Sequence, residues 1–160
     1  MMPAMFYGDP DRSPVILLEE IFPGDTNAYG TAFGGRILEM IDRAAGLAAS
    51  RFARCNFVTA SLDAIQFVGP VRQGEIAEVE AKVVYTSSRT CGVRVRVFGM
   101  DKTSWERREC CEGLLFMVAV GPDGRAVSVP RFEPQDDEEQ RAFDDAATVH
   151  RRMRGRRGVR

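Results

Sequence analysis

Histidine is nearly absent from this sequence of 160 residues: the only one, His150, stands between Val149 and a run of arginines close to the end of the chain. A Ser-His-Asp or Cys-His mechanism would have to take its base from that poor position, so any hydrolytic chemistry must rest on carboxylates, amides and backbone dipoles. Cysteine is sparse, and Cys55, Cys91, Cys110 and Cys111 lack C-x-x-C spacing, which argues against a structural zinc site. Cys91, Cys110 and Cys111 fall in stretches that read as strands, where buried free thiols are the common outcome. Neither end carries an apolar run long enough for a membrane helix or a basic-then-apolar leader, so the chain reads as cytoplasmic. There is no internal repeat.

With 44% hydrophobic residues, the chain can bury the core of one globular domain without metal or disulfide support. Its net charge of −1 is unevenly spread. Residues 151–160 hold six arginines and no acid, which leaves 16 basic and 23 acidic side chains, a balance of −7, in residues 1–150. Glu133, Asp136, Asp137, Glu138, Glu139, Asp144 and Asp145 form an acidic block just before the arginines.

The chain is organised around Asn27 to Gly35 and the helical run that follows, Arg36 to Ala53. At 100° per residue, Ile37, Leu38, Met40, Ile41, Ala44, Ala45, Leu47, Ala48, Ala49 and Phe52 cover most of the circumference, and Arg36, Glu39, Arg43 and Ser50 form a narrow polar stripe. Such a helix is expected to be buried nearly all round. Asp42 falls at the edge of the stripe beside Leu38, Ala45 and Gly46, where a carboxylate is either paired or working. Gly34-Gly35 at the mouth of the helix allows close approach to the backbone, and the free N–H groups of the first turn favour negative charge, whether an anion or an oxyanion. The bland alternative is a glycine-rich turn before an ordinary core helix, with Asp42 salt-bridged to an arginine.

Residues 1–13, rich in Pro, Gly and Asp, read as a flexible arm. Residues 14–22 could form a first strand, stopped by Pro23-Gly24-Asp25. Phe57 to Phe67 reads as a strand ending at Gly69-Pro70. Ala77, Val79, Ala81, Val83 and Tyr85 share one face of the next strand, and Val93, Val95 and Val97 point inward from Thr90 to Phe98. Asp101 to Arg108 is a polar loop with Trp105 as its candidate anchor. Glu109 to Val120 is another strand, and Gly121-Pro122-Asp123-Gly124 signals a turn before a last strand at Ala126 to Pro130. This order predicts an α+β domain, one antiparallel sheet wrapped around one helix.

That order, with this loop and helix, resembles the hotdog-fold acyl-CoA thioesterases, specifically the cytosolic acyl-CoA hydrolase branch. The resemblance rests on Asp25-Thr26-Asn27 with Gly30 and Phe33-Gly34-Gly35; Met40-Ile41-Asp42 with Ala44-Ala45; Val58-Thr59-Ala60-Ser61; Phe67 to Glu75; Val84-Tyr85 with Ser88-Arg89-Thr90; and Phe116-Val118-Ala119-Val120 with Asp123-Gly124-Arg125. It covers residues 14–131 and leaves 132–160 as an acidic, then arginine-rich tail. It implies hydrolysis of fatty acyl-CoA to free acid and CoA, a place in fatty acid metabolism, and no metal or redox cofactor.

By position, the resemblance makes Asn27 and Asp42 the catalytic pair, with Asp42 as general base or nucleophile. Phe33, Gly34 and Gly35 would hold the thioester oxygen, and Thr59, Ser87, Ser88, Arg89 and Thr90 would contact CoA. It further implies a homo-oligomer, a dimer or a dimer-based trimer or tetramer, with Asn27 of one subunit meeting Asp42 of another at the boundary. The histidine that often follows the family's asparagine is replaced here by Ala28 and Tyr29.

Two other classes compete with this reading. The fold also accommodates non-hydrolytic acyl-CoA-binding or regulatory proteins, against which the retention of both Asn27 and Asp42 argues. The arginines could contact nucleic acid or an anionic membrane, but the acidic body and the lack of interleaved aromatics favour a disordered, solvated tail and no nucleic-acid partner.

Overall fold

Side-chain alternation decides which face of each strand is buried. In the computed structural model, which describes residues 9–157, the strands are Val15–Glu20 (β1), Asn56–Phe67 (β2), Ile76–Thr86 (β3), Thr90–Met100 (β4) and Arg107–Val120 (β5). They form one sheet in the order β1-β3-β4-β5-β2, every neighbouring pair antiparallel. The helix Gly34–Ala53 (α1) packs on one face of this sheet, and Asp137–Arg157 (α2) packs on the other. The expected sheet around one long helix is present, with a second helix outside it. No helix among the described residues is long and apolar enough to cross a membrane.

The core lies between α1 and the sheet. Val79, Ala81, Val93, Val95, Val97 and Leu115 are fully buried there against Met40, Ile41, Ala44, Ala45 and Ala49. The alanines let the helix axis lie close to the strands, and most of the folding free energy comes from this apolar burial. The polar stripe of α1 is paired: Arg36 bonds to Glu19 and, at 3.0 Å, to Asp25, and Arg43 reaches Glu19 at 3.1 Å. Beside that stripe, Asp42 and Leu47 remain exposed, so a single chain does not bury α1 nearly all round.

Several expectations are corrected. Tyr85 does not share the inward face of β3, because the register between β3 and β4 shifts between Val83 and Tyr85, and the ring turns to the α2 side. Gly92 makes that possible, since a Cβ there would lie 3.1 Å from Tyr85 Cβ. Trp105 anchors nothing; it is 55% exposed, and its loop is held instead by Asp101, whose carboxylate accepts the N–H groups of Thr103 and Ser104. Ala126 to Pro130 forms no strand, only an isolated bridge from Ala126 to Val120 and a bond from the Val129 N–H to the Ser88 carbonyl.

The tail expected to be disordered is helical from Asp137 to Arg157. Ala142, Phe143, Ala146, Val149 and Met153 recur at helical spacing and pack on Val84, Tyr85 and Phe116. The averaged composition of the segment hides that periodicity. Of the arm, residues 9–13 are not loose throughout: Arg12 pairs with Glu139 of α2 and lies 4.6 Å over the Phe132 ring. Residues 1–8, the rest of that arm, and 158–160 lie outside the described residues.

Cys91, Cys110 and Cys111 are buried free thiols, as expected, and Cys55 is half-buried. Burial pushes all four thiols up, Cys111 to about 11.

Candidate active site

Asn27 begins a tight loop and its side chain is used to build it. Its Oδ1 accepts the N–H of Tyr29 at 2.9 Å and of Thr31 at 3.3 Å, and its Nδ2 donates to Thr31 Oγ1 at 3.0 Å. A carboxamide has two N–H donors, and no hydrogen bond among the described residues takes up the second. The loop is laced to the Val71–Glu75 turn: the Ala32 N–H bonds to the Val71 carbonyl at 2.8 Å, and the Gln73 N–H to the Gly30 carbonyl at 2.9 Å. Under that turn, Glu75 accepts the Arg72 N–H at 2.7 Å and two N–H groups of Arg108 at 3.1 and 2.9 Å.

Burial pushes the Glu75 carboxyl up, but the Arg108 guanidinium and the Arg72 N–H outweigh it and hold the group below the usual carboxylate range. A carboxyl whose folded pKa is lowered stabilises the fold above the ordinary pKa, and that contribution is lost as pH falls. We therefore expect Glu75→Gln to lower the melting temperature at pH 7 and to flatten its decline between about pH 5 and 3, which melting curves across that range would check. A variant with the parental slope would mean that Glu75 adds nothing to the acid limb.

The same loop delivers the chain into α1. Its cap residue, Phe33, provides no side-chain hydrogen bond, so the first-turn N–H groups at Gly34 and Gly35 are not covered by a capping side chain. Phe33, Gly34 and Gly35 are all exposed, and nothing lies within 4 Å of a Cβ built on Gly35. That helix end is open to an oxygen carrying negative charge.

Asp42 lies two turns further along, about 12 Å from the start of the helix at 1.5 Å per residue. Its partner is not an arginine: Thr59 on β2 donates its hydroxyl to Asp42 Oδ1, and Thr59 Oγ1 also lies 3.6 Å from Met117 Sδ. Asp42, Arg43, Gly46, Leu47, Phe57, Val58, Thr59 and Met117 line an open cleft of about 590 Å³ between α1 and the β2 edge. Asn27 does not line it. Within one chain, then, the helix end and the carboxylate are separate.

The β3–β4 turn stands at the same end of the sheet as Thr59. Thr86, Cys91, Met117 and Thr59 form one cross-strand row, and Ser87 to Thr90 lie just beyond it. Ser88 and Arg89 are exposed, whereas Thr90 is buried. The Arg89 carbonyl accepts the Ala119 N–H at 3.0 Å, which fixes the turn against the end of β5.

Comparison with known proteins places the chain in a family. Residues 29–105 match the model of the thioesterase superfamily. The uncharacterised acyl-CoA thioester hydrolase YkhA of Bacillus subtilis is 34% identical over 128 residues, 80% of this chain and 74% of the relative. The chain belongs to the acyl-CoA thioester hydrolase family. Another relative among these hydrolases, the human cytosolic acyl coenzyme A thioester hydrolase, is 27% identical over 143 residues; the match takes in 88% of this chain but only 38% of that protein.

Solved hydrolases agree in fold. An apo hexameric acyl-CoA thioesterase superposes with a TM-score of 0.86 at 35% identity, over 96% of this chain and 98% of that one. The acyl-CoA hydrolase of Staphylococcus aureus, solved with butyryl-CoA, CoA and CoA disulfide, gives a TM-score of 0.82 at 31% identity, over 91% of this chain and 89% of that one. Alanine variants of that hydrolase at an aspartate, a threonine and an asparagine have also been solved, the last with CoA bound.

The cleft walls Leu47, Val58 and Met117 escape a reading by sequence motif, because apolar side chains in a helix and strands look like core. Only their position beside Asp42, on the side of α1 and the β2 edge that one chain leaves open, marks them out.

Proposed function

We propose that this hydrolase cleaves fatty acyl-CoA to free acid and CoA at a site completed by a second copy of the chain. The observation that carries the reading is the Asp42 carboxylate, engaged at Oδ1 by Thr59 and facing an apolar cleft. Among the described residues no hydrogen bond reaches its second oxygen, which is free to take a proton from water or to attack the thioester carbonyl itself. Either route builds negative charge on the thioester oxygen, and N–H groups at Gly34 and Gly35 suit that charge. The bond to sulfur then breaks: in the general-base route CoA leaves as a thiol with the proton that Asp42 took from water, and in the direct route it leaves as a thiolate that a water protonates, the acyl group stays on Asp42 as an anhydride, and water then cleaves that anhydride to the free acid. Asn27, with its spare N–H, orients the carbonyl or the water.

Asn27 and the helix end cannot serve Asp42 of the same chain at that spacing. A two-fold pairing along the free β2 edge would set two α1 helices antiparallel and bring each N-terminal loop to the other chain's Asp42. Exposed Tyr29, Phe33, Leu47, Val58, Leu62 and Phe67 lie on this side and would be covered. The aspartate, threonine and asparagine replaced in the Staphylococcus aureus hydrolase are the residue types of Asp42, Thr59 and Asn27 here.

The test is thiol release from acyl-CoAs from acetyl to palmitoyl, with and without EDTA. We expect turnover to favour medium or long chains and to be unchanged by the chelator, because nothing in the scheme uses a metal. CoA binding without turnover would support a regulatory protein instead, and loss of rate in EDTA would overturn the scheme.

A further inference from the structure

The charges of α2 are divided between its halves. Asp137, Glu138 and Glu139 stand in its first turn, and Arg151, Arg152, Arg154 and Arg156 near its other end. The helix dipole accounts for the sign of each end but not for where the arginines are carried. That is set by the inward face. Glu139 meets Lys82 on β3, Phe143 meets Tyr85, His150 stacks on Phe116 of β5 at 5.1 Å and places Nδ1 3.1 Å from the Tyr85 hydroxyl, and Met153 reaches Ser61 on β2.

α2 therefore crosses the outer face of the sheet and ends at its free β2 edge. Tyr85, Gly92, Phe116 and Ser61 are one row of cross-strand neighbours, and the next row contains Thr59, the partner of Asp42. The basic end of α2 and the cleft are thus on opposite faces of one sheet edge, a row apart.

At 100° per residue, Phe143, Ala147, Arg151 and Arg154 share one flank of α2, and Arg152 and Arg156 share the other. Phe143 stacks on Phe132, whose N–H bonds to Thr86 Oγ1 at 2.8 Å, so the Arg151 and Arg154 flank is turned toward the β3–β4 turn and Arg89. Burial pushes the Tyr85 phenol up, while Arg154 and Arg151 act on it in the opposite sense, as nearby cations do. Arg89, Arg151 and Arg154 are exposed, and none forms a salt bridge among the described residues. On a body of net negative charge, three guanidiniums without a carboxylate partner among the described residues, Arg89 on the turn and Arg151 and Arg154 on the flank of α2, suit a multiply charged anion that spans them.

We propose that Arg151 and Arg154 of α2, together with Arg89, hold the phosphate groups of CoA while its acyl end lies in the cleft beside Asp42. This rests on the acyl-CoA reading above. From the β3–β4 turn to β2 is two strand spacings, about 10 Å, which an extended pantetheine arm can span. α2 becomes a specificity element for the nucleotide part of the substrate.

The decisive experiment compares the double variant R151Q/R154Q with R151K/R154K, and with R152Q on the opposite flank, on acyl-CoA and on the matching acyl-pantetheine. The glutamine pair should raise KM for acyl-CoA about tenfold with kcat within about twofold, since phosphate contacts remote from the thioester bind ground and transition states alike. KM for acyl-pantetheine should not move, the lysine pair should recover much of the loss, R152Q should behave as the parent, and the salt dependence of KM should weaken in the glutamine pair.

An unchanged KM for acyl-CoA would overturn the proposal, as would an equal rise for both substrates, which would mark a damaged fold. Calorimetric titration with CoA and with pantetheine separates this idea from the hydrolase reading. Arginine-dependent CoA binding by a parent protein that cleaves no thioester would leave the site standing and remove the hydrolase; cleavage with arginine-independent binding would do the reverse.

Discussion

Asn27→Ala and Asp42→Ala should each yield folded, assembled protein whose turnover falls by about 10²-fold or more, and mixing the two should bring activity back. Each variant alone removes one partner from every site. In a mixed dimer with sites at the boundary, one site keeps both residues and the other loses both. If the copies pair at random, half of the dimers are mixed, so about a quarter of parental activity is expected before the tags select the mixed dimers and about a half afterwards. Co-expression with two different tags, followed by tandem purification and a thiol-release assay, gives the measurement. Mixed oligomers as inactive as their parents would show that the residues do not meet across subunits. The expectation follows from the separation along α1 and from the commitment of the Asn27 side chain to its own loop.

Phe132→Ala should be the most damaging single change away from the site. The ring is 2% exposed and stands between the two helices, 6.2 Å from Phe52 of α1 and 6.2 Å from Phe143 of α2, with the Arg12 guanidinium over its face. Truncation leaves a cavity that neither helix can close without moving off the sheet. Substitutions of this kind cost about 3–5 kcal/mol, which for a chain of this length lowers Tm by roughly 10 °C. Thermal melts at fixed protein concentration would check it. A fall of only a degree or two would mean that α2 docks without this ring.

The inner core was legible from the chain because two periodicities do not compete there: 3.6 along residues 36–53, and 2 along β3 and β4. Misreadings arose where a local irregularity overrode the period. One shifted residue in the β3–β4 register sends Tyr85 to the opposite face, and no alternation rule foresees it. The helix at residues 137–157 is hidden in the sequence because runs of acid and arginine dominate an average, whereas helix formation depends on the few apolar residues that share a face and find a partner surface. At the site, Asp42 stood out as a carboxylate among small and apolar neighbours. Thr59, 17 residues away, is named by the resemblance as a CoA contact, and its bond to Asp42 shows only once β2 folds back along α1.

The cysteines bear on the fate of the product. Cleaving a CoA thioester releases a free thiol beside the protein that made it, and CoA in solution also occurs as a disulfide. Exchange between a disulfide and a protein cysteine needs the protein's thiolate. Burial pushes the Cys111 thiol up to about 11, and Cys91 is fully buried with its pKa raised as well, so both stay protonated at neutral pH. Burial and a raised pKa make Cys91 and Cys111 poor partners for exchange with such a disulfide.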